Sequence, residues 1–218
     1  IEPPCQYFGE CGGCIFQHIT YPSQIKIKES ILINDLKRIG NIDTEILKTF
    51  KSPEFHYRIR AKIKADENGK IGFVKKSTNQ VIPINNCMLF PGEINRFLIK
   101  WNSMKDTPFF NQFDILWNPT NKKLYVHITP PPSKNNISTL KYFHEIEFCW
   151  KSNEENGISK LRIKEFDYNI SPAVFFQINF YQFERMLNIV EKYMSKFGIS
   201  IDLYSGVGFF LHILQKYS

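Results

Sequence analysis

The sequence predicts an α+β protein in three successive parts: a cysteine-rich loop with a helix, a central and mainly antiparallel β region, and the opening of a parallel α/β domain. Three observations predict it. Cys5, Cys11 and Cys14 crowd the N-terminal end ahead of a stretch with helical periodicity. Short segments of strand character, separated by turn residues, fill the middle. A long amphipathic stretch, a short apolar stretch and a glycine turn then follow one another, which is how a parallel α/β sheet begins. The corresponding parts are residues 1–40, 41–168 and 169–218.

The first helix is expected from about Ser23 to Ile39, where Ile27, Ile31 and Leu36 recur and Gly40 closes the run. Tyr57–Ala65 alternates basic with apolar or small residues, and Lys70–Lys75 follows a Glu-Asn-Gly turn, so both read as strands. Further strands are expected at Val81–Ile84, Phe113–Trp117, Leu124–Thr129, Glu145–Trp150 and Lys160–Phe166. The Pro130–Pro132 run is a loop, because proline cannot donate to a sheet. A helix is then expected over Asn179–Phe197, with Phe183, Leu187, Val190 and Met194 three or four apart and Gly198 after it. Ile199–Tyr204 reads as a short strand, Ser205–Gly208 as a turn and Phe209–Leu214 as the next helix. A doubly wound sheet needs several more such units, so the chain is expected to be an incomplete piece of a larger protein.

Hydrophobic residues make up 43% and aromatics 15%, which excludes a disordered chain. No apolar run approaches the roughly 18 residues of a membrane span, so no membrane partner is expected. The N-terminus shows no secretory signal, and a reducing, cytoplasmic setting is expected. Net charge is +7, and residues 21–76 hold thirteen Lys and Arg against seven Asp and Glu. A basic face of that kind suits a polyanion such as RNA, since neutralised phosphates release counterions.

Four cysteines form a pattern: Cys5, five residues, Cys11-Gly-Gly-Cys14, then Cys87 far downstream. Thiolates at this spacing can wrap one metal centre, and Gly12 and Gly13 let the backbone bring N–H groups near sulfur. Four Cys ligands suit an iron–sulfur cluster or structural zinc equally well. Buried thiols or disulfides are the plainer alternative, disfavoured by the crowding of three cysteines in a chain without an export signal. Cys149 lies outside the pattern and is expected to be a buried, inert thiol.

The stretch Cys5-Gln-Tyr-Phe-Gly-Glu-Cys11-Gly-Gly-Cys14-Ile-Phe-Gln-His18, with Tyr21-Pro-Ser-Gln24-Ile-Lys-Ile-Lys28 after it, resembles the cluster segment of the iron–sulfur RNA uracil-5-methyltransferase family. Val81-Ile-Pro-Ile-Asn-Asn-Cys87 resembles that family's fourth-ligand segment. Ile170-Ser-Pro-Ala-Val-Phe175-Phe176-Gln177-Ile-Asn179 and Asp202-Leu-Tyr-Ser-Gly206-Val-Gly208 resemble the two segments that line its S-adenosylmethionine site. Ser205 replaces a Cys often seen in that turn, and Phe209 stands where many relatives carry a small polar residue.

The resemblance implies a 4Fe–4S cluster on Cys5, Cys11, Cys14 and Cys87, and the start of a Rossmann-like S-adenosylmethionine-dependent methyltransferase domain. It implies cofactor contacts from Gln177, Tyr204, Gly206, Gly208 and Phe209. The activity implied is methyl transfer to C5 of uridine, by a monomer, in ribosomal RNA ahead of transfer RNA. A Cys nucleophile and a base are expected beyond Ser218, so no catalytic residue is assigned within the chain. His18, Arg58, Arg60, Lys62, Lys75 and Lys76 are candidate RNA contacts, and Phe175 or Phe176 a stacking platform. The alternative is a non-catalytic metal-cluster module that grips RNA; a ferredoxin-like carrier fits the basic face poorly.

Overall fold

In the computed structural model, which describes residues 1–196 and 198–218, a six-stranded sheet forms the centre of the molecule. The elements run α1 (Tyr21–Arg38), β1 (Arg60–Ala65), β2 (Ile71–Val74), β3 (Val81–Pro83), α2 (Gly92–Asn102), β4 (Gln112–Asn118), β5 (Lys123–Thr129), α3 (Lys134–Leu140), β6 (Ile146–Cys149), β7 (Ser159–Ile163), β8 (Phe166–Ile170), α4 (Phe183–Tyr193) and α5 (Leu211–Tyr217). The sheet order is β3-β2-β1-β4-β5-β6, and β7 and β8 form a separate hairpin. Every neighbour in the large sheet is antiparallel except β5 and β6, which are parallel. Parallel strands need a crossover, and α3 lies within it.

Two apolar layers sandwich this sheet. On one face Ile63, Ile71, Phe113, Ile115, Val126 and Ile128 pack under Ile94, Phe97, Leu98 and Trp101 of α2. Those four helix residues sit at the i, i+3, i+4, i+7 spacing of one helical face. Trp101 also donates its indole N–H to Gly69 O at 3.0 Å, and Asn102 Oδ1 accepts from Ile71 N at 2.7 Å, so α2 grips β2 directly. The other face carries Ile59, Leu116 and Tyr125 against Leu161, Tyr168, Ile170, Phe176, Phe183, Leu187, Phe209 and Ile213. The boundary expected after residue 168 therefore falls inside β8, and one core spans both sides of it.

The strands of the central region appear where expected, and three expected elements differ. Lys160–Phe166 is the two arms of a hairpin, reversed at Lys164 with φ +54°. The expected helix over Asn179–Phe197 begins as a 3-10 turn (Phe180–Gln182), continues as α4, and ends at Tyr193. Phe197 lies outside the described residues. No strand forms over Ile199–Tyr204. An extended segment needs a hydrogen-bonding neighbour, and among the described residues none pairs with it.

Candidate metal centre and cofactor turn

The four patterned cysteines meet around one small cavity, which Tyr7, Phe73, Ile84 and Phe90 also line. The N-terminal loop is clipped to the end of β2: Gly12 N donates to Val74 O at 3.0 Å, and Lys76 N to Glu10 O at 3.1 Å. A Cβ on Gly12 would stand 2.8 Å from Val74 O, so this approach requires glycine. Cys87 arrives from the end of β3 and is fixed by Asn95 of α2, which accepts from Cys87 N at 2.8 Å and donates to Cys87 O at 3.1 Å. Tyr7 closes the ring by accepting from Asn85 N at 3.2 Å.

All four thiols are free and half-buried. Burial is the main cause that pushes Cys11 and Cys14 up, with neighbouring thiols adding to it, and it drives Cys87 up to about 12. Gly13 N–H points at Cys11 Sγ at 3.4 Å and opposes the rise, as does the Gln17 side chain at Cys14. Such thiols lose their protons to a cationic centre, and aimed N–H groups then stabilise the thiolate. The donor set and its backbone support fit a four-cysteine metal group. Among the described residues, no three His, Cys, Asp or Glu side chains form a group that could hold one metal ion. Cys149 is fully buried on β6, its thiol pushed up to about 12 by desolvation, and behaves as a core residue.

The Ser171–Asn179 segment and the glycine turn, separated in sequence by α4, meet at a second pocket. Phe175, Phe176, Gln177, Asp202, Tyr204, Gly206 and Phe209 line it. Gly206 and Gly208 have φ +57° and +73°, and Tyr204 shares the left-handed region at +61°. A side chain on Gly208 would collide with Leu211 at the head of α5. Tyr204 is fully exposed and Phe175 is 71% exposed, so two rings and the half-buried Gln177 are free for a ligand. Asp202 Oδ2 is enclosed there without a hydrogen-bond partner.

Phe209, expected as a cofactor contact, also belongs to the second core. It reaches the pocket wall but is only 5% exposed, packed on Tyr168, Phe176 and Phe183. The turn into α5 throws the ring inward, and its carbonyl accepts from Tyr168 Oη at 3.0 Å. It anchors the turn. Phe176 is likewise a core ring, which leaves Phe175 as the stacking candidate.

Arg60, a candidate RNA contact, has partners within the protein. Its guanidinium donates to Phe176 O at 3.1 Å and Pro172 O at 2.8 Å, so it ties β1 to the pocket segment. Arg58 is half-buried beside the cysteine cavity, with Nε donating to Arg60 O at 3.0 Å. His18 and Lys76 are exposed near the cysteine loop, and Lys75 pairs with Cys11 in an isolated bridge. Lys62 stands on β1, 3.6 Å from Asp114. Asn179 heads the 3-10 turn rather than α4 and sends its amide to Ser52 Oγ at 2.9 Å. Sequence reasoning missed Asn95, whose only signal was a polar residue on the apolar face of a helix that went unread.

No family model matches the chain. A protein described as an uncharacterized RNA methyltransferase from Aquifex aeolicus is 28% identical over 231 residues, covering 96% of this chain and 53% of that protein. The 23S rRNA (uracil(1939)-C(5))-methyltransferase RlmD of Chromobacterium violaceum is 33% identical over 117 residues, 51% of this chain and 23% of its own. The crystal structure of Pyrococcus abyssi tRNA (uracil-54, C5)-methyltransferase in complex with S-adenosyl-L-homocysteine superposes with TM-score 0.66 at 24% identity, covering 95% of this chain and 56% of that one. The chain thus spans about half the length of the Aquifex relative and of the Pyrococcus structure.

The fold is thus that of the corresponding part of the Pyrococcus structure, and the relatives that the chain resembles along its length are described as RNA methyltransferases. Among the relatives with a printed specificity, those from Chromobacterium violaceum and Pyrococcus abyssi are RNA uracil-C5-methyltransferases. Among the described residues no helix is long and apolar enough to cross a membrane.

Proposed function

We propose that this chain is the cluster-bearing part and the beginning of the cofactor site of an enzyme that methylates C5 of a uridine in RNA. The observation that carries the reading is the meeting of the Phe175-Phe176-Gln177 segment with the Gly206–Gly208 turn around one pocket. S-adenosylmethionine supplies an electrophilic methyl group when bound. Gly206 and Gly208 let the backbone approach a ligand closely, Gln177 offers an amide, and the exposed rings of Tyr204 and Phe175 offer flat faces. Uracil C5 is a poor nucleophile, so the chemistry also needs a thiolate to add at C6 and a base to remove the C5 proton. Neither role is assigned to a residue of this chain.

Cys5, Cys11, Cys14 and Cys87 would hold the 4Fe–4S cluster. The four thiols line one cavity, and the likeness of their segments to those of the iron–sulfur family favours the cluster over zinc, which four Cys ligands would also suit. The cluster's role would be structural: it would staple the N-terminal loop to β2 and α2 and so fix the surface formed by His18, Arg58, Lys75 and Lys76 toward RNA.

Two assays test this. Protein purified anaerobically should carry roughly four irons and four sulfides, with absorbance near ~400 nm, all lost in Cys11→Ala or Cys87→Ala. Zinc alone would remove the cluster from the proposal. The full-length protein, given S-adenosylmethionine and RNA tritiated at uridine C5, should release tritium as it incorporates methyl. Methyl incorporation without release would place the reaction at another position, and neither signal with ribosomal or transfer RNA would leave the non-catalytic binding module.

A further inference from the structure

Arg58 lines both the cysteine cavity and the larger cleft beside it. Its backbone is fixed on two sides. Arg58 N donates to Leu89 O at 2.9 Å and His56 N to Met88 O at 2.9 Å, so the segment runs along the turn that carries Cys87. On its other side Arg58 forms an isolated bridge with Asn179. The guanidinium is tethered as well, because Nε donates to Arg60 O at 3.0 Å.

Among the described residues that line the cavity, Arg58 is the only side chain charged at neutral pH. It is half-buried, yet among the described residues it forms no ion pair with a carboxylate. A cation drawn out of water costs free energy unless an anion answers it. The anions within reach are the thiolates of the centre. Burial pushes the Cys14 and Cys87 thiols up, and the charge of Arg58 opposes that rise at both.

We infer that Arg58 is the counter-charge of the four-cysteine centre, an inference that rests on the metal reading above. Four thiolates around a core of two positive charges, zinc or oxidised cluster, leave two negative charges uncompensated. One tethered guanidinium at the cavity wall offsets part of that excess. It strengthens the hold of the thiolates on the metal, and it favours the reduced, more negative form of a cluster. The role needs a positive charge at this place, not a particular hydrogen bond. The competing partner is an RNA phosphate in the neighbouring cleft, which Arg58 also lines.

The test compares Arg58→Gln and Arg58→Lys with the wild type, each as full-length protein purified anaerobically. Gln keeps an N–H for Arg60 O and drops the charge, whereas Lys keeps the charge. Arg58→Gln should make reduction of the cluster about tenfold less favourable, a fall of about 59 mV for one electron, read by redox titration of its visible absorbance. It should also weaken metal retention against a chelator about tenfold, the lower end for a group that supports metal ligands. Arg58→Lys should stay near the wild type in both. No change in Arg58→Gln, or an equal loss in both variants, would overturn the inference. No change together with a shallower salt dependence of RNA binding would give Arg58 to a phosphate instead. Zinc in the wild type would sink the cluster alone, and zinc retention in the two variants would then decide the role of Arg58. A wild type without metal would remove the centre, and the inference with it.

Discussion

The cysteine site and the glycine turn are both loops built to hold a group, yet they rest on different foundations. Around the cysteines each backbone segment is tied to an element that is already packed: Gly12 to the end of β2, Cys87 to Asn95 of α2, Asn85 to Tyr7. Around the glycines, Ile199, Ile201 and Leu203 lead into the turn at 83%, 76% and 77% exposure. The turn is anchored chiefly where Phe209 enters the second core. A site seated on a finished core is shaped before its ligand arrives. A turn whose approach segment is unpaired draws its order from a few buried rings and belongs to the low-stability end of the molecule.

The sharpest way to break this comparison is Phe209→Ala. Removing a core ring should cost about 3–5 kcal/mol in denaturant unfolding and should expose the turn to amide exchange before the cysteine loop. A loss under about 1 kcal/mol would show that the turn has another anchor. Arg60→Met comes next, because it strands the carbonyls of Pro172 and Phe176. A cost of about 2–3 kcal/mol is expected, with faster exchange across residues 171–177 and unchanged metal content.

Asn95→Ala should act on the other site. It leaves Cys87 N–H without its partner, while Cys87 O keeps Phe90 N–H at 3.0 Å, at about 1–3 kcal/mol, and should speed metal loss to a chelator while sparing the pocket segment. If metal retention were unaffected, the support from α2 would be packing alone. The smallest change is expected from Tyr204→Ala. This fully exposed side chain touches no core, so stability should stay within about 0.5 kcal/mol. Affinity of the full-length protein for S-adenosylhomocysteine should fall nonetheless, and an unchanged affinity would take Tyr204 out of the cofactor site.

Particular residues show what could be read in the chain. The spacing of Cys5, Cys11 and Cys14 is local, and the glycines between them announce the tight approach that Gly12 makes to Val74. Alternation gave β1, β4 and β5 within a few residues, because side chains in a strand face opposite sides in turn. The partners of Arg60 could not be read locally. A basic residue in a basic stretch resembles its neighbours, and its acceptors lie 112 and 116 residues away. α2 escaped notice although its apolar face has regular helical spacing, and Asn95 went with it.

The sequence by itself determined which residue types stand at which local spacing: the cysteine pattern, the left-handed glycines, the strand alternation and the basic stretch. These follow from chain stereochemistry and side-chain chemistry within a few residues. Tertiary structure alone decided that Cys87 reaches the loop, that Phe209 turns inward as an anchor, that Arg60 serves the pocket segment and that β6 runs parallel. Each of those outcomes depends on burial and on hydrogen-bond partners far apart in the chain, and such partners are set only when the two faces of the sheet are covered.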